Sequence, residues 1–133
     1  MDSQVISSTY SPLALAYIGD SVFDLLIKRR FVEKSNMQPE KYHKRVTAIV
    51  CAKCQAAFMD SKKDLLSEEE LEMFRRGRNA KSHSKAKNAS LAEYKKATGF
   101  EAMIGYLYLS GRTDRLEEIV DAIMEMAGEM NEK

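Results

Sequence analysis

The 133 residues contain only two cysteines, two prolines and two histidines, and they carry a formal net charge of just +1. Cys51 and Cys54 cannot build a disulfide framework. Cys51-x-x-Cys54 resembles half of a zinc site, but it falls mid-helix with no second cysteine pair. His43 and His83 are badly placed to complete it, so core or half-buried thiols are the better reading. Nothing approaches the run of about 18 apolar residues that a membrane helix requires. The N-terminus, Met-Asp-Ser-Gln-Val, lacks the basic and apolar regions of a signal peptide, which points to a soluble cytoplasmic protein. No alternating strand pattern and no internal repeat is present, so the expected fold class is all-α. We expect one compact helical domain over residues 1–133, of about five to seven helices.

The near-neutral total conceals an asymmetry. Between Arg75 and Lys96 there are eight basic residues and one acid, Glu93, for a local charge of +7; the rest of the chain is −6. A basic segment on an acidic body suits a localised anion-binding surface, although a solvated lysine-rich loop has the same composition.

Helical periodicity covers most of the chain. Ser11-Pro12 offers an N-cap with proline at the first helical position, opening a helix to about Arg30 that is apolar enough to read as central and buried. A second helix starts near Pro39 and carries Val46, Ile49, Val50, Cys54, Ala57 and Phe58. Ser67-Glu-Glu-Glu70 and Ser90-Leu-Ala-Glu93 are capping boxes that open two more. Gly77 and Asn79 read as helix-ending residues before a polar, mobile basic loop around residues 76–90. A helix past Ser90 stops near Gly111, and Thr113 caps a last one, Asp114 to about Met130.

Two carboxylates stand in apolar helical surroundings with no local lysine or arginine to pair them: Asp20 in the first helix and Glu101 in the helix after Ser90. Gly19 precedes Asp20, and Gly105 lies one turn beyond Glu101. A glycine inside a helix costs about 1 kcal/mol against alanine, so both predict a close helix crossing that would bring the acids together as a hard-cation site. His83, in the basic loop, is a weaker candidate for a general base than for a solvated side chain.

These residues resemble a known family. Leu15-Ala-Tyr-Ile-Gly-Asp-Ser-Val-Phe-Asp24 is similar to the signature helix of the ribonuclease III catalytic domain, and Thr98-Gly-Phe-Glu-Ala-Met-Ile-Gly-Tyr-Leu-Tyr-Leu109 to its second acidic helix. With Arg-Gly-Arg-Asn-Ala-Lys at 76–81, the three motifs resemble most closely the short bacterial Mini-III branch, over nearly the whole chain. The resemblance implies a homodimeric endonuclease that hydrolyses double-stranded RNA with Mg²⁺, for which Mn²⁺ can substitute, leaving 5′-phosphate and 3′-hydroxyl ends. It implies Asp20 and Glu101 as catalytic and metal-binding acids. It also implies the ends of 23S ribosomal RNA precursor as substrate; the acidic remainder of the chain suits a basic ribosomal protein as a further partner.

Longer ribonuclease III enzymes carry two more acids, at positions occupied here by Ala16 and Thr98, and a separate domain that binds double-stranded RNA. RNA affinity is therefore expected from Arg75, Arg76, Arg78, Asn79, Lys81, Lys85 and Lys87. Two alternatives stay open: a ribonuclease III-like domain that binds RNA without cutting it, and a helical protein-interaction module whose acids only fix a dimer register.

Overall fold

The computed structural model describes residues 1–81 and 89–129, which form seven α-helices and one 3₁₀ turn with no strand among them. The helices are α1 (Ser3–Thr9), α2 (Pro12–Lys34), α3 (Pro39–Val50), α4 (Ala52–Ser61), α5 (Glu68–Asn79), α6 (Leu91–Leu109) and α7 (Thr113–Met126). The 3₁₀ turn, Lys63–Leu65, links α4 to α5. None of these helices is long and apolar enough to cross a membrane by itself.

The capping chemistry expected from sequence is in place. Ser11 Oγ accepts from Ala14 N at 3.1 Å, with Pro12 at the start of α2. Ser67 and Glu70 exchange side-chain and backbone bonds at the start of α5; Ser90 and Glu93 do the same for α6. Gly111, at φ +76°, lets the chain turn back after α6 so that Arg112 N–H reaches the Leu107 carbonyl at 3.0 Å. Thr113 is the first residue of α7 rather than its cap; Arg112 holds the cap position without a side-chain bond.

Helix α6 is the centre of the fold and packs on α2, α5 and α4. Every residue from Ala97 to Leu107 is buried except Glu101. Phe100 stands edge-on to Phe23 of α2 and Phe58 of α4, with ring centres 4.9 and 5.7 Å away. One hydrophobic cluster draws side chains from all seven helices.

Three further expectations are corrected. The central buried helix is α6, not α2, whose outer side leaves Tyr17, Leu25 and Val32 exposed. The apolar run from Pro39 to Phe58 is two helices, because Cys51 adopts extended backbone (φ −73°, ψ 156°) between α3 and α4. Gly77 does not end α5: it is buried inside that helix, where a Cβ would meet Gly99 Cα at 2.8 Å and Ala102 Cβ at 2.7 Å. The basic stretch therefore begins as helix, through Asn79.

Candidate active site

Two glycines set the site. Helices α2 and α6 cross with Gly19 against α6 and Gly105 against α2, so closely that a Cβ on Gly19 would overlap the Glu101 carbonyl oxygen. A Cβ on Gly105 would overlap the carbonyl oxygen of Leu15. Backbone thus rests on backbone at the residues flanking the two acids. The consequence expected from sequence follows: Asp20 and Glu101 are neighbours whose carboxyl groups interact.

Their environments differ. Asp20 is exposed, whereas Glu101 is largely withdrawn from solvent, so the sequence reading of two acids in apolar surroundings holds for only one of them. Burial first, then the neighbouring Asp20 carboxyl, push the Glu101 carboxyl up to about 8. The nearby Gln55 amide works in the opposite direction. Gln55, on α4, is 1% exposed, and its Nε2 donates to the Val50 carbonyl at 3.2 Å. Its Oε1 is buried without a hydrogen-bond partner. No sequence motif marks Gln55; only the break at Cys51 turns it toward α6.

The donor chemistry fits a hard divalent cation. Two neighbouring carboxylates supply oxygen ligands and negative charge, which suits Mg²⁺ with its remaining positions filled by water and phosphate oxygens. No third His, Cys, Asp or Glu joins them among the described residues. Ala16 and Thr98 are both buried, and the Thr98 hydroxyl is spent on the Tyr94 carbonyl at 3.0 Å. Asp24, one turn beyond Asp20, is paired with Lys28 at 2.8 Å.

Other acids and thiols are otherwise engaged. The most buried carboxylate is Glu70, whose sequence context marks it only as a helix-capping residue: it is 3% exposed and gripped by both Nε and Nη2 of Arg115 at 2.7 and 2.9 Å. Burial alone would raise it; Arg115 and the Ser67 N–H together hold it below the usual carboxylate range. Cys51 and Cys54 are half-buried free thiols, and burial with the neighbouring Cys51 pushes Cys54 up to about 11, which makes it inert.

The basic residues divide. Gly77 of α5 rests on the turn of α6 that holds Thr98, Gly99 and Ala102, and beyond it Arg78 and Ala80 lie beside Leu91, Tyr94 and Lys95 at the start of α6. Asn79 and Lys81 are exposed there. Arg78 lies over the Phe74 ring at 5.4 Å. Arg75 pairs with Glu72 at 3.2 Å and Glu68 at 3.7 Å, while Arg76 is half-buried and donates to the Ser7 carbonyl at 3.3 Å. His83, Lys85 and Lys87 lie outside the described residues.

An all-helical domain whose central crossing brings two acids together is an architecture able to hold a divalent cation. The family model for the ribonuclease III domain matches residues 13–112, and the chain belongs to the ribonuclease III family. Within it, the chain is similar to several Mini-ribonuclease 3 proteins. That of Enterococcus faecalis is 44% identical over 123 residues, covering 91% of this chain and 93% of its own length. That of Brevibacillus brevis is 46% identical over 110 residues, with coverage of 83% and 82%. That of Staphylococcus aureus is 40% identical, covering 90% of each chain. A crystal structure of a Fusobacterium nucleatum protein superposes with a TM-score of 0.84 at 26% identity, over 96% of this chain and 98% of the other.

Proposed function

We propose that this ribonuclease III-type endoribonuclease cuts double-stranded RNA by Mg²⁺-assisted hydrolysis, and that its biological substrate is the paired-end stem of 23S ribosomal RNA precursor. The observation that carries the reading is the Asp20–Glu101 pair, held together by the α2–α6 crossing inside a chain of this family. The choice of ribosomal RNA rests on the Mini-III resemblance.

Asp20 and Glu101 would hold the ion. When bound, Mg²⁺ supplies Lewis-acid chemistry, activating water and offsetting charge on the phosphate. Asp20, exposed, faces incoming substrate; Glu101 anchors the site from the core side. Arg78, Asn79 and Lys81 supply phosphate contacts, and Lys85 and Lys87 extend the basic stretch in sequence. A-form RNA is recognised chiefly by shape and through its minor groove, which suits a basic helix end more than a base-reading surface.

The active species in this reading is a cytoplasmic homodimer. Tyr17, Leu25 and Tyr108 are at least half exposed, and the last two line an apolar groove of about 330 Å³ with Val22, Leu26 and Leu116. An exposed apolar face of this kind, centred on α2, suits a second copy of the chain. Asp20 is one turn from Tyr17, so that interface would bring two acid pairs toward one RNA duplex, one for each strand. Sedimentation of Leu25→Asp protein should show a monomer where the unsubstituted chain sediments as a dimer. A basic ribosomal protein on the assembling large subunit is the further partner that the acidic remainder of the surface suits.

The test is an end-labelled RNA hairpin with a long paired stem, incubated with Mg²⁺, with chelator, and with Asp20→Asn and Glu101→Gln proteins. Metal-dependent cuts on both strands, lost in both variants, are expected. Tight, salt-sensitive binding with no cutting by the unsubstituted chain would leave an RNA-binding scaffold instead.

A further inference from the structure

A buried primary amide costs free energy unless its hydrogen-bonding groups are satisfied, and an apolar side chain of similar volume would fill the same space without that cost. Gln55 is such an amide, on a helix whose neighbouring buried residues, Ala56, Phe58 and Met59, are all apolar. Its orientation is fixed by chemistry. The Val50 carbonyl can only accept, so the amide nitrogen must face it. The same amide lies close enough to the Glu101 carboxyl to favour its charged form, and Oε1 is left buried without a partner. Gln55 therefore joins two features: the α3–α4 break, whose Val50 carbonyl it satisfies, and the acid pair. A side chain that merely stapled the break would have no reason to reach Glu101 or to retain an unpartnered oxygen.

We propose that Gln55 is a positioning residue for the acid pair: its amide holds the Glu101 carboxylate in the orientation that presents it, with Asp20, to a hydrated divalent cation. Its free Oε1 is the acceptor available to a water of that ion. The inference rests on the reading of Asp20 and Glu101 as a cation site and adds the group that orients one of its ligands. Groups that hold a metal ligand in place commonly contribute about 10- to 100-fold to metal affinity.

The experiment compares unsubstituted protein with Gln55→Leu and Gln55→Met. Mn²⁺ binding is measured by electron paramagnetic resonance without RNA, alongside hairpin RNA binding and thermal melting in chelator. The expected result is a Kd for Mn²⁺ weakened roughly tenfold, with RNA affinity unchanged. A lowered Tm with unaltered Mn²⁺ affinity would mean that Gln55 only staples the helix break, and it overturns the inference. A measurement on the unsubstituted chain guards against variants that do not fold. The side-chain amide resonances of Gln55 should shift on Mg²⁺ titration and saturate with the protein's overall Mg²⁺ affinity; unmoved resonances overturn the inference. Unsubstituted protein that binds neither ion overturns the cation-site reading and the inference together, whereas binding that is indifferent to Gln55 overturns the inference alone.

Discussion

Glu101 and Glu70 are both withdrawn carboxylates, and their surroundings push them in opposite directions. Glu70 meets Arg115 and falls below the usual range; Glu101 meets Asp20 and rises to about 8 from an ordinary 4.5. The raised value means that the folded chain holds the Glu101 proton more tightly than the unfolded chain does. Its contribution to stability is complete below pH 4.5 and is lost as pH rises to about 8. Denaturant melts of cation-free protein should therefore lose stability across that window, and Glu101→Gln should remove that part of the slope. Binding of Mg²⁺ must expel the same proton, so its affinity should fall by roughly tenfold per pH unit below pH 8. Calorimetry in buffers of different ionisation enthalpy would register the released proton; a pH-independent affinity would take Glu101 out of the ligand set. Glu101 is legible in the sequence because its apolar flanks are real core. Asp20 is legible as a partner but not as exposed, since the flanks of α2 include the apolar outer face. Gln55 is hidden because nothing local marks an amide that reaches another helix.

The α2–α6 crossing is a backbone contact, and its tolerance should be correspondingly small. Gly19→Ala or Gly105→Ala adds one methyl where a carbonyl oxygen already stands, so the helices must separate. Each should cost about 3 kcal/mol, at the upper end for overpacked cores. Chemical denaturation reads that loss, and a weaker Mg²⁺ affinity in whatever folded protein remains reads the displaced acids. A stability loss below about 0.5 kcal/mol, the range of neutral surface changes, would contradict the contact. These glycines can be read in advance because a glycine in a helix interior needs a packing reason. The capping boxes at Ser67 and Ser90 are equally legible, since the Ser-x-x-Glu spacing states its own geometry. The break at Cys51 is not: helical apolar spacing runs straight through it, and neither proline nor glycine punctuates it. Helix α1 also escapes, being only seven residues long and opened by an ordinary Asp2 cap.

Across the whole molecule, charge and apolar surface are separated. The basic end of α5 lies beside the first turns of α6, while the outer face of α2 is apolar. The charge segregation is readable from composition, but the apolar face is not, because a helix rich in apolar residues reads as buried whether it meets its own core or a second subunit. The dependence of RNA affinity on salt should follow the free cations. Replacing Arg78 and Lys81 together with alanine should weaken hairpin binding and reduce the logarithmic salt slope by about 1 for each phosphate left unneutralised. Arg76, tied to Ser7, should change that slope little when replaced. An unchanged slope in the double variant would place the RNA on another surface. Heat reaches the acid pair only by way of the core. The spacing of Asp20 and Glu101 belongs to the innermost packing of the molecule rather than to a loop, so warming cannot loosen the site before it dissolves that packing. Cleavage activity and the cooperative unfolding signal should therefore disappear over the same few degrees, leaving no interval in which the chain is folded but idle.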